Sequence, residues 1–530
     1  MDFKRFGVML DCSRNAVLNI PTVKKYIDLL ARLGYNTLML YTEDTYEVEN
    51  QPYFGYLRGR YSQEEIKEID AYAKEKGIEL IPCIQTLAHL NAIVRWRAYQ
   101  SCRDLGDILL VGDEGTYKLI DDMFSTISKN FSSKVVHVGM DEAHMIGLGK
   151  YLDKHGYRNR SQILVEHLTK VCELAKKHGL EPIMWSDMFF RLATGGEYFC
   201  DEVEFSKEVL DLVPKEVGLV YWDYYKPQKE DYAKMIKHHK QFDNEIWFAG
   251  GFWCWNGFAP RNGFTLQTLK ACMPAAIEGG IENVIFTLWG DDGKECSNFA
   301  VLPSLYYASC LAKGITDEEE IKKGFEKEFG VEFDAYMLMD LPNTCGMEEN
   351  SKNNPEKYMF YNDPFFGIFD CTVDEGYVPT YDECAEKLEK YTDNEFGYLF
   401  EHYAKLCRFL QLKFTIGKRT RAAYKSGDKK ELEVLVEDYK KLIPLLYDFY
   451  ESHKSVWFKD NKPHGFDVQD IRMGGLQRRI ESCIERLEKY LSGEIEKIEE
   501  LEEEILNEFE EKYCYFNTYA RNSTVNVFAH

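Results

Sequence analysis

The chain has 530 residues, a formal net charge of −24 at pH 7, 45% hydrophobic residues and 29% charged residues. That is the make-up of an ordinary globular protein too long for one compact core, so two domains are expected. So acidic a chain is repelled by phosphate backbones and anionic bilayers, which excludes nucleic acid and membrane surfaces as expected partners, and no stretch reaches the roughly 20 apolar residues of a membrane span.

The N-terminus, MDFKRFGVML, runs directly into a strand pattern with no apolar leader, so no secretion signal is expected. From there, short apolar β-rich runs alternate with amphipathic helical patterns. The runs are FGVML from Phe6, NTLMLYT from Asn36, IELIPCIQ from Ile78, VVHVGMDE from Val135, EPIMWSDM from Glu181, VGLVYWDY from Val217, EIWFAGGFW from Glu245 and NVIFTLWGD from Asn283. Helical patterns lie between them at Thr22 to Leu33, Glu64 to Lys76, Ser161 to His178 and Leu266 to Gly279, and glycines at 34, 77 and 179 suit left-handed stops. Eight strands alternating with helices, each a nearly unbroken apolar run, predict an α/β fold, a (β/α)8 TIM barrel over residues 1–315. A doubly wound open sheet is the alternative, weakened because no run leads into a glycine-rich phosphate loop.

Residues 340–380 are rich in Asn, Pro, Asp and aromatics, and 316–380 reads as an irregular connection. From 381 to 530 long charged helices are expected, at DECAEKLEKY, Glu401 to Gly417, Lys429 to His453 and Gly474 to Tyr513, so this part is a mainly α-helical C-terminal domain. The acidic run EKIEELEEEILNEFEEK reads as a solvated helix face, and Trp457 as a core residue. Fifteen cysteines without CxxC pairs read as reduced thiols of a cytoplasmic protein.

In such a barrel the active site lies at the C-terminal ends of the strands. These ends carry Asp11 and Arg14; Glu43 and Asp44; Gln85 and His89; Asp141 and Glu142; Trp185 and Asp187; Tyr221, Trp222 and Asp223; Trp253 and Trp255; Trp289 and Asp291. Tryptophans ringed by carboxylates suit a sugar, whose CH faces stack on indoles while its hydroxyls bond to carboxylates. Asp141–Glu142 after the apolar fourth run supplies the proton donor and anionic partner that glycosidic cleavage needs. Like charges side by side drive one carboxyl toward the protonated form, and both serve one pocket only if the strand bends there. No histidine or carboxylate cluster has metal spacing, so no metal and no cofactor is expected. His89 is the expected orienting partner of an acid.

HVGMDE resembles the His/Asn-x-Gly-small-Asp-Glu signature of family 20 glycoside hydrolases, the β-N-acetylhexosaminidases, and the resemblance runs over residues 1 to about 315. The helical tail resembles that of its short bacterial members. The resemblance implies a retaining mechanism in which the 2-acetamido group of the substrate attacks the anomeric carbon. Glu142 is then the acid and base, Asp141 holds the acetamido nitrogen, and Tyr221 bonds its carbonyl oxygen. Arg14, Asp44, His89, Trp185, Trp222, Asp223, Trp289 and Asp291 bind the sugar. Two departures stand out: Met140 occupies a usually small position, and Asp291 replaces the usual glutamate, so both epimers at C4 are expected as substrates. The implied substrate is an oligosaccharide with a terminal N-acetylhexosamine, and the sequence leaves homodimer formation open. The alternatives are a barrel glycosidase with a direct carboxylate nucleophile, of β-galactosidase type, and a barrel that binds glycans without cleaving them.

Overall fold

The computed structural model describes residues 3–345, 353–506 and 518–527. Eight strands close into a parallel barrel in chain order: β1 (Arg5–Asp11), β2 (Thr37–Tyr41), β3 (Glu79–Cys83), β4 (Val135–His137), β5 (Glu181–Trp185), β6 (Gly218–Trp222), β7 (Ile246–Gly251) and β8 (Asn283–Leu288). The barrel is sealed by β1 against β8, in register from Arg5↔Asn283 to Leu10↔Leu288. Every residue of β2, β6 and β8 is buried, as the unbroken apolar runs require of a sheet covered on both faces. Each fully buried Val, Leu or Ile there contributes on the order of 1.5–3 kcal/mol.

The intervening helices begin and end where local chemistry dictates. Helix Ile20–Leu33 opens with Pro21, is capped by the Asn19 side chain accepting the Thr22 N–H, and stops at Gly34 with φ 87°. Helix Gln63–Glu75 opens with a reciprocal capping box between Ser62 and Glu65. β4 is the irregular member: it is three residues long and pairs with β3 only through Cys83↔His137, and its backbone bonds to the neighbouring runs continue through Val138 and Gly139 and end just before Asp141.

The chain divides into two compact units. The first comprises Met1–Phe252, Leu266–Leu288 and Tyr307–Ile315, and the second comprises Trp253–Thr265, Trp289–Tyr306 and Thr316–His530. The second unit is thus threaded through the barrel sequence, because the segments that follow β7 and β8 belong to it.

Residues 316–380, read from the sequence as an irregular connection, instead hold the helices Glu318–Phe329, Phe333–Met337 and Pro355–Tyr361. The aromatics that suggested a loop are core: Tyr358, Phe360 and Phe365 have no exposed surface. Residues 346–352 of that expectation lie outside the described residues.

Three long helices follow: Gly397–Ser426, Lys429–Asp460 and Phe466–Ser492. The apolar stripe Leu432, Leu435, Val436, Tyr439 and Leu442 is buried, as its spacing predicts. The helix expected to run from Gly474 to Tyr513 stops at Gly493, which takes φ 80°, and residues 507–513, with the end of the acidic run, lie outside the described residues. Trp457 is a core residue, its Nε1 donating to the Lys462 carbonyl at 3.1 Å. No helix among the described residues is long and apolar enough to cross a membrane.

Candidate active site

Past His137 the chain leaves strand geometry. Gly139, Met140 and Glu142 take φ values of 72°, 73° and 50°, all in the left-handed region. For Met and Glu that conformation costs on the order of 1–3 kcal/mol each and persists only when the surroundings impose it. Here Gln85, fully buried at the end of β3, imposes it. Its Oε1 accepts the Met140 N–H at 3.1 Å, and its Nε2 donates to Asp141 Oδ1 at 2.7 Å and to the Tyr41 hydroxyl at 2.9 Å. A Cβ on residue 139 would fall 2.0 Å from Gln85 Oε1, so Gly139 is a steric requirement.

The bend has a chemical result. Asp141 and Glu142, which a regular strand would send to opposite faces, both reach one imidazole. His89 Nε2 lies 3.1 Å from Asp141 Oδ2 and 3.6 Å from Glu142 Oε2. His89 also sits at a positive φ, 57°, and its backbone N–H donates to Asp107 Oδ2 at 2.9 Å. The Glu142 side chain is 42% exposed, open to a ligand, whereas that of Asp141 is 13% exposed.

The charges sort themselves by environment. Burial opposes ionisation of Asp141, but the His89 charge and the His89 and Gln85 hydrogen bonds outweigh it and bring the carboxyl down to about 2. Burial likewise opposes the His89 cation, and the Asp141 carboxylate more than offsets this, raising His89 to about 10. The pair is therefore carboxylate and imidazolium. The carboxyl driven toward its protonated form is a third one, Asp187, raised to about 7 first by burial and then by the Asp141 charge. Asp187 accepts the Glu142 N–H at 3.2 Å and Arg191 Nε at 3.1 Å. His137 is held neutral by burial, down to about 3; its Nδ1 accepts the Gly139 N–H and its ring lies 4.4 Å from that of Trp185.

At the ends of β1 and β2, Arg14 Nη1 meets Glu43 Oε1 at 3.0 Å and Asp11 Oδ2 at 3.3 Å, with its guanidinium over the Tyr41 ring. Glu43 accepts the Tyr41 hydroxyl at 3.0 Å, which links this group to Gln85 and Asp141. Asp44, expected to bind sugar, has no exposed surface and is held by Arg58 through Nε and Nη2 at 3.3 Å. Consecutive residues point apart, and Glu43 is the one that joins Arg14.

Tyr221, expected to offer its hydroxyl to a ligand, is fully buried, packs against His239 and Phe248 with centroids 4.8 Å and 5.4 Å away, and donates to Asp223 Oδ2 at 3.0 Å. Trp185 is buried, as is Trp222. Trp222 packs on Tyr198 at 4.8 Å, and the Tyr198 hydroxyl accepts the Trp222 N–H and contacts Ser186 Oγ. Trp289 and Asp291 directly follow β8 and fall in the second unit. Sequence reasoning missed Arg191, Arg58 and Tyr198. Arg191 had a signal, four residues after Asp187 at helical spacing. Tyr198 had none, lying in a connection without periodicity.

Residues 3–240 match the model of the glycosyl hydrolase family 20 catalytic domain, and residues 334–514 match the glycoside hydrolase 20C C-terminal domain. The chain is a member of glycoside hydrolase family 20. The catalytic match to this family 20 chain ends before β7, so Trp289 and Asp291 lie outside it. Hexosaminidase D of Homo sapiens is 24% identical over 252 residues, covering 45% of this chain and 49% of that protein. Beta-hexosaminidase 3 of Arabidopsis thaliana is 27% identical over 207 residues, covering 36% and 38%. The chain thus spans less than half the length of these curated relatives. The X-ray structure of Flavobacterium johnsoniae chitobiase superposes with a TM-score of 0.47 at 19% identity, over 94% of this chain and 74% of that one.

Proposed function

We propose that the protein is an exo-acting β-N-acetylhexosaminidase that releases terminal non-reducing GlcNAc or GalNAc from small glycans by a retaining, substrate-assisted reaction. The observation that carries this reading is the left-handed turn that brings Asp141 and Glu142 together on His89. The family 20 catalytic match and the hexosaminidase names of the relatives support it.

In this reading the acetamido oxygen attacks the anomeric carbon while the glycosidic C–O bond breaks and the leaving oxygen takes the Glu142 proton. The result is an oxazolinium ion. Asp141, held ionised, accepts the acetamido N–H and balances the positive charge, which a group driven toward protonation could not do. Water then adds to the anomeric carbon and gives its proton to Glu142, so the ring of the intermediate opens with net retention. His89 orients the Asp141 carboxyl and lies beside that of Glu142. Arg14, Asp44, Asp223 and Asp291 take hydroxyls, and Trp185, Trp222 and Trp289 pack round the sugar and its methyl group. Tyr221, beside Asp223, bonds the acetamido carbonyl oxygen. No step uses a cofactor. A cytoplasmic location is part of the reading, supported by the fourteen described cysteines, all free thiols.

Matched aryl β-glycosides with and without the 2-acetamido group test the proposal. Only the former should be cleaved, and comparable cleavage of both would establish the direct-nucleophile alternative. Recovery of bound but intact substrate would establish the glycan-binding alternative. Glu142→Gln should lower turnover by orders of magnitude on glycans but much less on substrates with acidic phenol leaving groups, which need little protonation. Because Asp291 reaches less far than a glutamate, gluco- and galacto-configured substrates should differ by less than roughly 100-fold.

A further inference from the structure

Glu142 is placed at its task without a side-chain clamp. Its carboxylate has two cationic neighbours, His89 Nε2 at 3.6 Å and Arg191 Nη2 at 3.9 Å, both beyond hydrogen-bond length. What fixes its direction is its backbone, at φ 50°, a conformation that a glutamate adopts only under constraint. Gln85 constrains residues 140 and 141. On residue 142 itself, the carbonyl accepts the His144 N–H at 2.6 Å, a bond to the following turn, and the N–H is held by Asp187, whose Oδ2 accepts it at 3.2 Å.

Asp187 is placed for that contact. It opens helix Asp187–Thr194 at the end of β5 and has no exposed surface. Its Oδ2 also accepts Arg191 Nε from one turn along the same helix, at 3.1 Å, so the carboxyl is aimed from behind. Its Oδ1 is buried and has no hydrogen-bond partner among the described residues. Beside its ion pair with Arg191, this buried carboxyl leaves one oxygen unpaired, at a cost of about 1–3 kcal/mol, and turns the other to the backbone of a strained residue.

We infer that Asp187, aimed by Arg191, is a positioning residue for Glu142: it holds the Glu142 amide so that the carboxyl points at the leaving-group oxygen. The inference rests on the reading of Glu142 as the acid. Without the acceptor the Glu142 backbone relaxes toward negative φ and the side chain swings away, while the sugar-binding groups stay where they are.

The test uses full-length Asp187→Ala and Asp187→Asn, with melting temperature as a folding control. On a disaccharide, whose leaving alkoxide needs a proton, Asp187→Ala should lose roughly 100-fold in kcat with little change in KM, the scale of an angstrom-sized misplacement. On an aryl glycoside with an acidic phenol the loss should be below roughly 10-fold. Asp187→Asn keeps an oxygen acceptor without the charge and should recover most of the disaccharide rate, which a role through charge alone would not allow. Equal losses by Asp187→Ala on the two substrates, or no recovery in a folded Asn variant, would overturn the inference. If the Ala variant does not fold, the ratio of the two substrates in Asp187→Asn decides: a ratio within about threefold of wild type supports the inference and a larger change overturns it. Should Glu142→Gln itself lack the leaving-group dependence, the assignment of the acid fails first, and separately.

Discussion

Asp141 and Glu142 are neighbours in sequence with opposite demands on them, and the structure separates them by what each touches. Asp141 is tied to His89 and Gln85, whereas Glu142 hydrogen-bonds through its backbone and its carboxylate lies beside the His89 and Arg191 cations at 3.6 Å and 3.9 Å. Asp141→Asn keeps the shape and removes the charge, so it should cost on the order of 2–4 kcal/mol in kcat/KM, the range of one preorganised electrostatic contact. A thiazoline mimic of the oxazolinium ion should bind this variant far more weakly than wild type; equal inhibition would show that Asp141 does not face the developing charge. The same pair fixes a pH window. His89 rises from 6.5 to about 10, so its share of stability is complete below pH 6.5 and fades as pH rises through 10. Asp141 falls from 3.8 to about 2, so its share is complete above pH 3.8 and fades as pH falls through 2. The melting-temperature gap between wild type and His89→Gln should therefore be widest near pH 5–6 and narrow steadily toward pH 10. A gap that widens with pH would mean that His89 is neutral in the folded protein.

Among the elements, β4 does the least pairing and the most positioning. It ends at His137, and the residues beyond it depend on Gly139 for the turn. Gly139→Ala meets both a left-handed φ and contacts of 2.0 Å with Gln85 Oε1 and 2.8 Å with the Ile84 carbonyl, so Gln85 and Asp141 must shift together. The variant should lose activity and at least about 1–2 kcal/mol of stability by chemical unfolding, and wild-type values for both would show that the bend does not depend on glycine. This element also marks how far the sequence could be read. All eight strands were legible, because apolar runs that must be buried on both faces leave a pattern. So was the need for a bend at Asp141–Glu142, since period-two alternation forbids a shared pocket without one. Which of Glu43 and Asp44 would meet Arg14 was not legible, because it depends on Arg58, brought in from a connection with no periodic signal. Nor was the burial of Tyr221, decided by His239 eighteen positions downstream on the following helix. Contacts across elements leave no mark on local pattern.

At the scale of the whole molecule, the second unit is organised round buried charge. Arg472, on helix Phe466–Ser492, reaches Asp292 Oδ1 at 2.8 Å and Glu295 Oε1 at 3.0 Å, and Lys357 reaches Glu295 Oε2 at 2.8 Å and Asp292 Oδ2 at 3.2 Å. The Glu295 and Lys357 side chains are each 1% exposed. Asp340 takes the amides of Asn262 and Gly263, and Glu356 takes that of Ala259. Arg472→Met leaves Lys357 as the shared cation of two carboxylates, and should cost up to about 3–5 kcal/mol in chemical unfolding, the scale for breaking a buried ion pair; a loss below about 1 kcal/mol would show that Lys357 and water suffice to hold them. These contacts fall between residues 253–306 and residues beyond 316, although the first set is encoded between barrel strands. The consequence concerns inheritance. A gene cut after residue 315 would give a first fragment bearing Asp292 and Glu295 with no cation to meet them, and a second bearing Lys357 and Arg472 with no anion. Shuffling that replaced one half of the gene would make the same mismatch, so descendants of this chain should exchange the two parts only together.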